Sequence, residues 1–297
     1  MKRSSRARLP VAPVLASVTG QLSLGAGVVR YVWRHPANSR RRVRAVLRAA
    51  RYQAQARLLR RRAVARLGER SRLWVYPHRT AASMVLYANP PDLPEMLVWR
   101  QALRDGDLFV DVGANVGTYT IWAAELGAEV IALEPAADTF CLLKENIALN
   151  DYQVTAVRAA AGDHCGTARF TSGFDAGNSL APDGPAVTEL VTLVTVDSLI
   201  GDRRVTGMKV DVEGFEIDVL RGAARALADR RIGLIQLEWN EMSTVSLGVD
   251  RRPVAELLAG YGYQLYRPDM KGHLVPAREP GFGADVFACP ATEDADL

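Results

Sequence analysis

Residues 108–117 read Leu108-Phe-Val-Asp111-Val-Gly113-Ala-Asn115-Val-Gly117, and this stretch decides the fold. The run LFVDV is short, mostly apolar and followed by turn residues, as expected of a strand buried on both faces. Gly113 and Gly117 permit a tight turn and a close approach of backbone to a ligand. A helical pattern over 117–126 follows at once. Strand, glycine turn and helix in that order open a nucleotide-binding α/β unit. The spacing is G-x-x-x-G and lacks the middle glycine of the dinucleotide fingerprint G-x-G-x-x-G. A nicotinamide-dependent oxidoreductase is therefore the weaker alternative.

Outward from this point the chain alternates. Strands are expected over 129–133, 154–158, 207–212, 232–238 and 263–266, with a last one near 285–288. Helices are expected over 138–150, 215–227 and 253–259, and two β-rich runs, 167–171 and 187–196, interrupt the pattern. Such alternation predicts an α/β protein: a mostly parallel, Rossmann-like sheet with helices on both faces. A length of 297 residues allows one large core, or one core with a small appendage. Cys141, Cys165 and Cys289 form no closely spaced pair. That argues against a disulfide framework or a structural zinc site, and for the reducing cytoplasm.

Charge divides the chain. Residues 1–72 carry 19 basic residues and one acid, Glu69, a net +18, whereas the other 225 carry 18 basic and 32 acidic, a net −14. A basic N-terminal extension over 1–72 and a second unit over 73–297 are expected. The uncharged stretch 9–29 follows Lys2, Arg3, Arg6 and Arg8 but is broken by Pro10, Pro13, Gly20, Gln21, Gly25 and Gly27. It reads as a loosely packed arm rather than a membrane span. Residues 39–67 read as a basic helix, capped by Ser39, with Val43, Val46, Leu47, Ala50, Ala54 and Leu58 on one face. Two readings stay open: the helix lies on an anionic membrane or acidic partner, or it packs on the rest of the chain. No aromatic interleaving points to nucleic acid.

Several residues carry chemistry. Asp111 closes the first strand and can accept a hydrogen bond from an amino group or fix the glycine loop, in which Asn115 and Thr118 also lie. Glu134-Pro135 closes the second strand, where a carboxylate can bond both hydroxyls of a ribose. Ala161 and Asp163 follow the third strand and suit a flat adenine and its amino group, with Asp163 equally readable as a turn residue. Lys209, Asp211 and Glu213 alternate at the end of the fourth strand and would share a face if the strand continued. Three buried charges need pairing or function, and a structural Lys–Asp pair is the plain alternative. Glu238, Trp239 and Asn240 close the fifth strand. Phe215 and Trp239 read as walls, and Glu95 as either a cover over the cofactor or a helix-start acid. His164 reads as a turn residue, and His35, His78 and His273 are given no role.

In order along the chain, DVGANVGTYT, EP, GDHCGTARF, GNSL, VTVDSL and KVDVEGFEIDVLRGA resemble the FkbM family of methyltransferases. The resemblance covers roughly residues 85–270 and does not reach residues 1–72. It implies a class I methyltransferase fold, S-adenosylmethionine as donor, and methylation of a hydroxyl on a sugar, glycan or polyketide-type small molecule. On that reading Lys209, Asp211, Glu213 and Glu238 form the catalytic group. Asp211, Glu238 and Asn240 offer hard oxygen ligands should Mg²⁺ take part.

Overall fold

The computed structural model describes residues 27–59, 62–76, 80–171, 188–239, 250–277 and 285–291. Its centre is an eight-stranded sheet. In chain order it comprises β3 (Leu108–Val112), β4 (Glu129–Leu133), β5 (Val154–Val157), β9 (Val205–Val210), β10 (Ile232–Leu237), β11 (Tyr263–Pro268), β12 (Leu274–Pro276) and β13 (Val286–Pro290). The spatial order is β12-β11-β13-β10-β9-β3-β4-β5. Strands β10, β9, β3, β4 and β5 run parallel. Strand β13 lies antiparallel between β10 and β11, an insertion that chain-order alternation could not anticipate. All five residues of β3 are buried, as its apolar run predicts.

Helices α5 (Thr118–Glu125), α6 (Ala137–Ala148), α8 (Glu216–Arg221), α9 (Ala224–Ala228) and α10 (Arg252–Gly260) connect these strands. Two large apolar clusters separate onto the two faces of the sheet, one around Trp99, Phe109 and Trp122, the other around Met208, Leu220 and Ile235. This is the Rossmann-like arrangement expected from sequence. The helix expected over 215–227 is split into α8 and α9 around Gly222, which packs onto Gly162. A β-carbon on Gly222 would strike the Gly162 carbonyl oxygen. The β-rich runs form a separate three-stranded sheet of β6 (Ala160–Ala161), β8 (Thr188–Val194) and β7 (Gly166–Thr171). In the VTVDSL segment, Thr195 caps α7 (Val196–Ile200), and Asp197 accepts from Arg225 N and Ala226 N at 2.9 Å each. The GNSL segment lies outside the described residues.

The N-terminal part departs from expectation. A helix over 27–34, here α1, precedes α2 (Arg42–Leu59), and the chain then forms a hairpin of β1 (Ala63–Leu67) and β2 (Ser71–Val75). The helix expected over 39–67 therefore stops eight residues early, and the expected division at residue 72 falls inside β2. The inward face of α2 is Ala45, Ala49 and Tyr52; of the expected stripe Val46 packs against the core, while Val43, Leu47, Ala50, Ala54 and Leu58 are exposed. Small residues let the helix approach α3 (Thr80–Tyr87) closely. Polar bolts hold this region to the rest. Glu125 accepts from the backbone of Glu69, Arg70 and Ser71 at 2.7, 3.1 and 2.6 Å. Asn146 accepts from Trp74 N and donates to Val116 O in the glycine loop, each at 2.7 Å. His35 also has a role: its Nε2 lies 2.6 Å from Pro91 O, and its Nδ1 accepts from Ala37 N.

Candidate active site

A cavity of about 270 Å³ opens at the carboxyl ends of β3, β4, β9 and β10. The strand order reverses between β3 and β9, the switch point at which doubly wound sheets bind ligands. The glycine loop, Glu134, Pro135 and Ala159–Ala161 line one side. Lys209, Asp211, Glu213 and Glu238 line the other.

On the first side, Glu134 is buried and accepts from Asn115 N at 3.0 Å through Oε2 and from Ala136 N at 2.9 Å through Oε1. Burial pushes its carboxyl up to about 7 against those two donors. Asp111 Oδ2 accepts from Thr120 Oγ1 at 2.6 Å, while Oδ1 is buried without a partner among the described residues. Burial raises this carboxyl too, although the Lys209 ammonium opposes the shift. Gly113 has φ +81°, and a β-carbon there would collide with the Asp211 carbonyl oxygen. The residue is glycine because β9 ends against the loop, not chiefly because a ligand needs clearance. Gly117 lies under Leu143 rather than in the lining, whereas Thr118 lines the cavity.

On the second side, β9 ends at Val210, so Lys209, Asp211 and Glu213 do not share a strand face. Lys209 Nζ instead sits 2.6 Å from Asp211 Oδ2 and 4.7 Å above the Tyr119 ring. Burial alone would depress this ammonium, but Asp211, Asp111 and Asp285 hold it above its ordinary value. The Lys–Asp pair read as the plain alternative is thus present, and it lies inside the cavity. A turn with Glu213 at φ 53° brings Glu213 beside Asp211 and Glu238, with one carboxylate oxygen from each within 4.8 Å of the others. Crowding has the expected consequence. Burial and the neighbouring carboxylates push Glu213 up to about 7 and Glu238 up to about 9. The turn is held from below by Glu216, which accepts from Gly214 N at 3.1 Å and forms a fully buried pair with Arg251.

Other expected residues fall elsewhere. Asp163 is half exposed against His164 and does not line the cavity; the flat wall there is Ala160, Ala161 and Phe170. Glu95 is buried in the first turn of α4 (Leu93–Ala102), and Asp92, three residues earlier, is the carboxylate that reaches the cavity. Phe215 lines it, whereas Trp239 is buried outside the lining. Asn240 lies outside the described residues. Sequence reading missed Asp92, Tyr119, Phe170 and the buried chain in which Gln236 donates to Tyr119 Oη at 3.1 Å and to Asp285 Oδ2 at 2.7 Å. Asp92 had a local signal, an acid just before Leu-Pro at a helix start. Phe170 and Asp285 had none.

Residues 111–265 match the family described as the Methyltransferase FkbM domain. A hexuronic acid methyltransferase, AglP, from Haloferax volcanii is 28% identical over 164 residues, covering 52% of this chain and 63% of that one. The 31-O-demethyl-FK506 methyltransferase FkbM from Streptomyces tacrolimicus is 30% identical over 150 residues, covering 46% of this chain and 56% of that one. The chain therefore spans roughly three fifths of the length of these relatives. Among solved structures, the Thermus thermophilus 16S rRNA N2 G1207 methyltransferase aligns with a TM-score of 0.43 at 17% identity, over 78% of this chain and 50% of that one. That likeness is too slight to argue from.

Proposed function

This chain belongs to the FkbM methyltransferase family, and from that premise we propose that it moves a methyl group from S-adenosylmethionine to a hydroxyl oxygen of a sugar, glycan or polyketide-type small molecule. The observation that carries the reading is a single cavity with a ribose-type carboxylate, Glu134, on one side and the Asp211–Glu213–Glu238 group on the other. The printed names of two relatives, a hexuronic acid methyltransferase and a 31-O-demethyl-FK506 methyltransferase, support a sugar or an oxygen-bearing small molecule as acceptor.

The residues present fit the donor. Each Glu134 oxygen accepts one backbone N–H and keeps a lone pair for a ribose hydroxyl. The partnerless Asp111 Oδ1 suits an ammonium group, and an excess of carboxylates over the single Lys209 suits a cation. When bound, S-adenosylmethionine supplies an electrophilic methyl group on a sulfonium sulfur. The chain's remaining task is to aim the acceptor and take its proton, since an aliphatic hydroxyl is a poor nucleophile. Burial beside Asp211 pushes Glu238 up to about 9, so it keeps its own proton near neutral pH, and the acceptor proton passes to Glu213, which is pushed only to about 7. Lys209 pins Asp211, which keeps the group in place and balances part of its charge. An ammonium already serving as counter-charge favours a carboxylate base over Mg²⁺ at this position.

Three measurements test the reading. S-adenosylhomocysteine is expected to bind in the micromolar range, about 8 kcal/mol, with NADH far weaker. Asp211→Asn and Glu213→Gln are each expected to lower methyl transfer by about 10²-fold, and Glu238→Gln by much less, while S-adenosylhomocysteine affinity stays within a few-fold. Activity is expected to survive EDTA. Loss to EDTA with recovery on Mg²⁺ overturns the metal-free base, and tight NADH binding without S-adenosylhomocysteine binding overturns the whole proposal.

A further inference from the structure

Helix α2 carries two apolar stripes on opposite sides. The inner stripe, Ala45, Ala49 and Tyr52, packs into the core. The outer stripe, Val43, Leu47 and Leu58 with the smaller Ala50 and Ala54, faces solvent; its three large residues are 63%, 64% and 82% exposed. At 100° per residue the two stripes lie about 180° apart, so the outer one is not an edge of the packed face. Large aliphatic side chains aligned over four turns are seldom left to water without a partner.

Arginines border this stripe. Arg41, Arg44, Arg48 and Arg51 recur at helical spacing between the two stripes and line a groove against β1, which adds Arg66 and the exposed Val64. Arg48 is tied to the Leu86 carbonyl oxygen at 2.8 Å. Arg41, Arg44, Arg51 and Arg66 form no ion pair among the described residues. Guanidinium groups of this kind recognise phosphate oxygens in pairs.

We infer that the outer face of α2 docks on an anionic phospholipid surface, with Val43, Leu47 and Leu58 entering the headgroup–acyl boundary and the flanking arginines contacting phosphates. Charge and apolarity select this occupant together. A second copy of the chain would bring arginines against arginines. A nucleic acid would answer the arginines but leave the aliphatic stripe unused. An interfacial helix combines the two features, an apolar face and a basic flank. Among the described residues no helix is long and apolar enough to cross a membrane. Residues 1–72 carry the net +18 that draws the protein to such a surface.

The test uses full-length protein and vesicle flotation. Vesicles of phosphatidylcholine with one quarter phosphatidylglycerol are expected to bind at 50 mM NaCl, with pure phosphatidylcholine at least tenfold weaker. The triple variant Val43→Ser, Leu47→Ser, Leu58→Ser is expected to lose about tenfold or more in vesicle affinity at unchanged charge. The double variant Arg44→Glu, Arg51→Glu is expected to abolish binding. S-adenosylhomocysteine affinity should stay unchanged in both, because no α2 side chain lines the cavity. The inference is overturned if the serine variant binds vesicles as well as wild type, which would leave only unspecific attraction. Equal binding of duplex DNA and anionic vesicles by wild type, with no effect of the serine substitutions on either, overturns it as well. So does a wild-type dimer in sedimentation that Leu47→Glu dissolves.

Discussion

Two regions of this chain collect charge, and they do so under opposite rules. Around the cavity, Asp92, Asp111, Glu134, Asp211, Glu213, Glu238 and Asp285 crowd about one ammonium, mostly away from water. Along α2, arginines crowd just as densely but stand in solvent. Burial ties charges in and beneath the cavity to particular partners: two backbone donors for Glu134, Lys209 for Asp211, Arg251 for the underlying Glu216. On α2 the charges are screened and act as a sum. A single substitution should therefore be decisive in the first region and nearly silent for stability in the second.

The largest expected effect probes the support beneath the cavity. Arg251→Met leaves Glu216 buried without its counter-charge and should cost about 3–5 kcal/mol. Thermal or urea unfolding measures it, and a loss below 1 kcal/mol would mean that water reaches Glu216 and that the contrast with α2 is overdrawn.

A smaller effect comes from proton linkage. The folded pKa of Glu134 is raised from 4.5 to about 7, so between these values the folded chain holds a proton that the unfolded chain has released. Its contribution is complete below pH 4.5 and is lost as pH rises through 7. Compared with wild type, ligand-free Glu134→Gln should therefore gain in melting temperature from pH 5 to about pH 7 and level off above it. A difference that stays flat over that range would show that Glu134 is solvated after all.

The smallest expected effect marks the other limit. Val43→Ser and Leu47→Ser, both on the outer face of α2, should each change stability by no more than about 0.5 kcal/mol. A loss of 2 kcal/mol would mean that this face is buried in solution and would erase the contrast.

Much of the site was legible because its signals are local. Gly113, Glu134, Asp211 and Glu238 each close a predicted strand or open the turn after it, and parallel strands deliver their carboxyl ends to one edge. Asp163 failed because proximity along the chain to a site is not orientation toward it; its side chain turns to His164 instead. Asp285 and Phe170 were illegible because each reaches the site by strand pairing, β13 beside β10 and β7 beside β8, which no short pattern encodes.

The sequence by itself determined the alternating α/β order, the family resemblance, the strand-end carboxylates and the division of charge at the N-terminal side. These follow from periods of two and 3.6 residues and from glycines at fixed offsets, all readable within a dozen residues. Only the tertiary structure decided that residues 63–75 form a hairpin, that Asp92 rather than Glu95 reaches the cavity, and that α2 turns Ala45, Ala49 and Tyr52 inward. The reason is that a helix with two apolar stripes has no preferred face until a partner is present. Hydropathy favours burying Val43, Leu47 and Leu58, but close approach to α3 favours the alanines, and packing against a neighbour some forty residues away settles the choice.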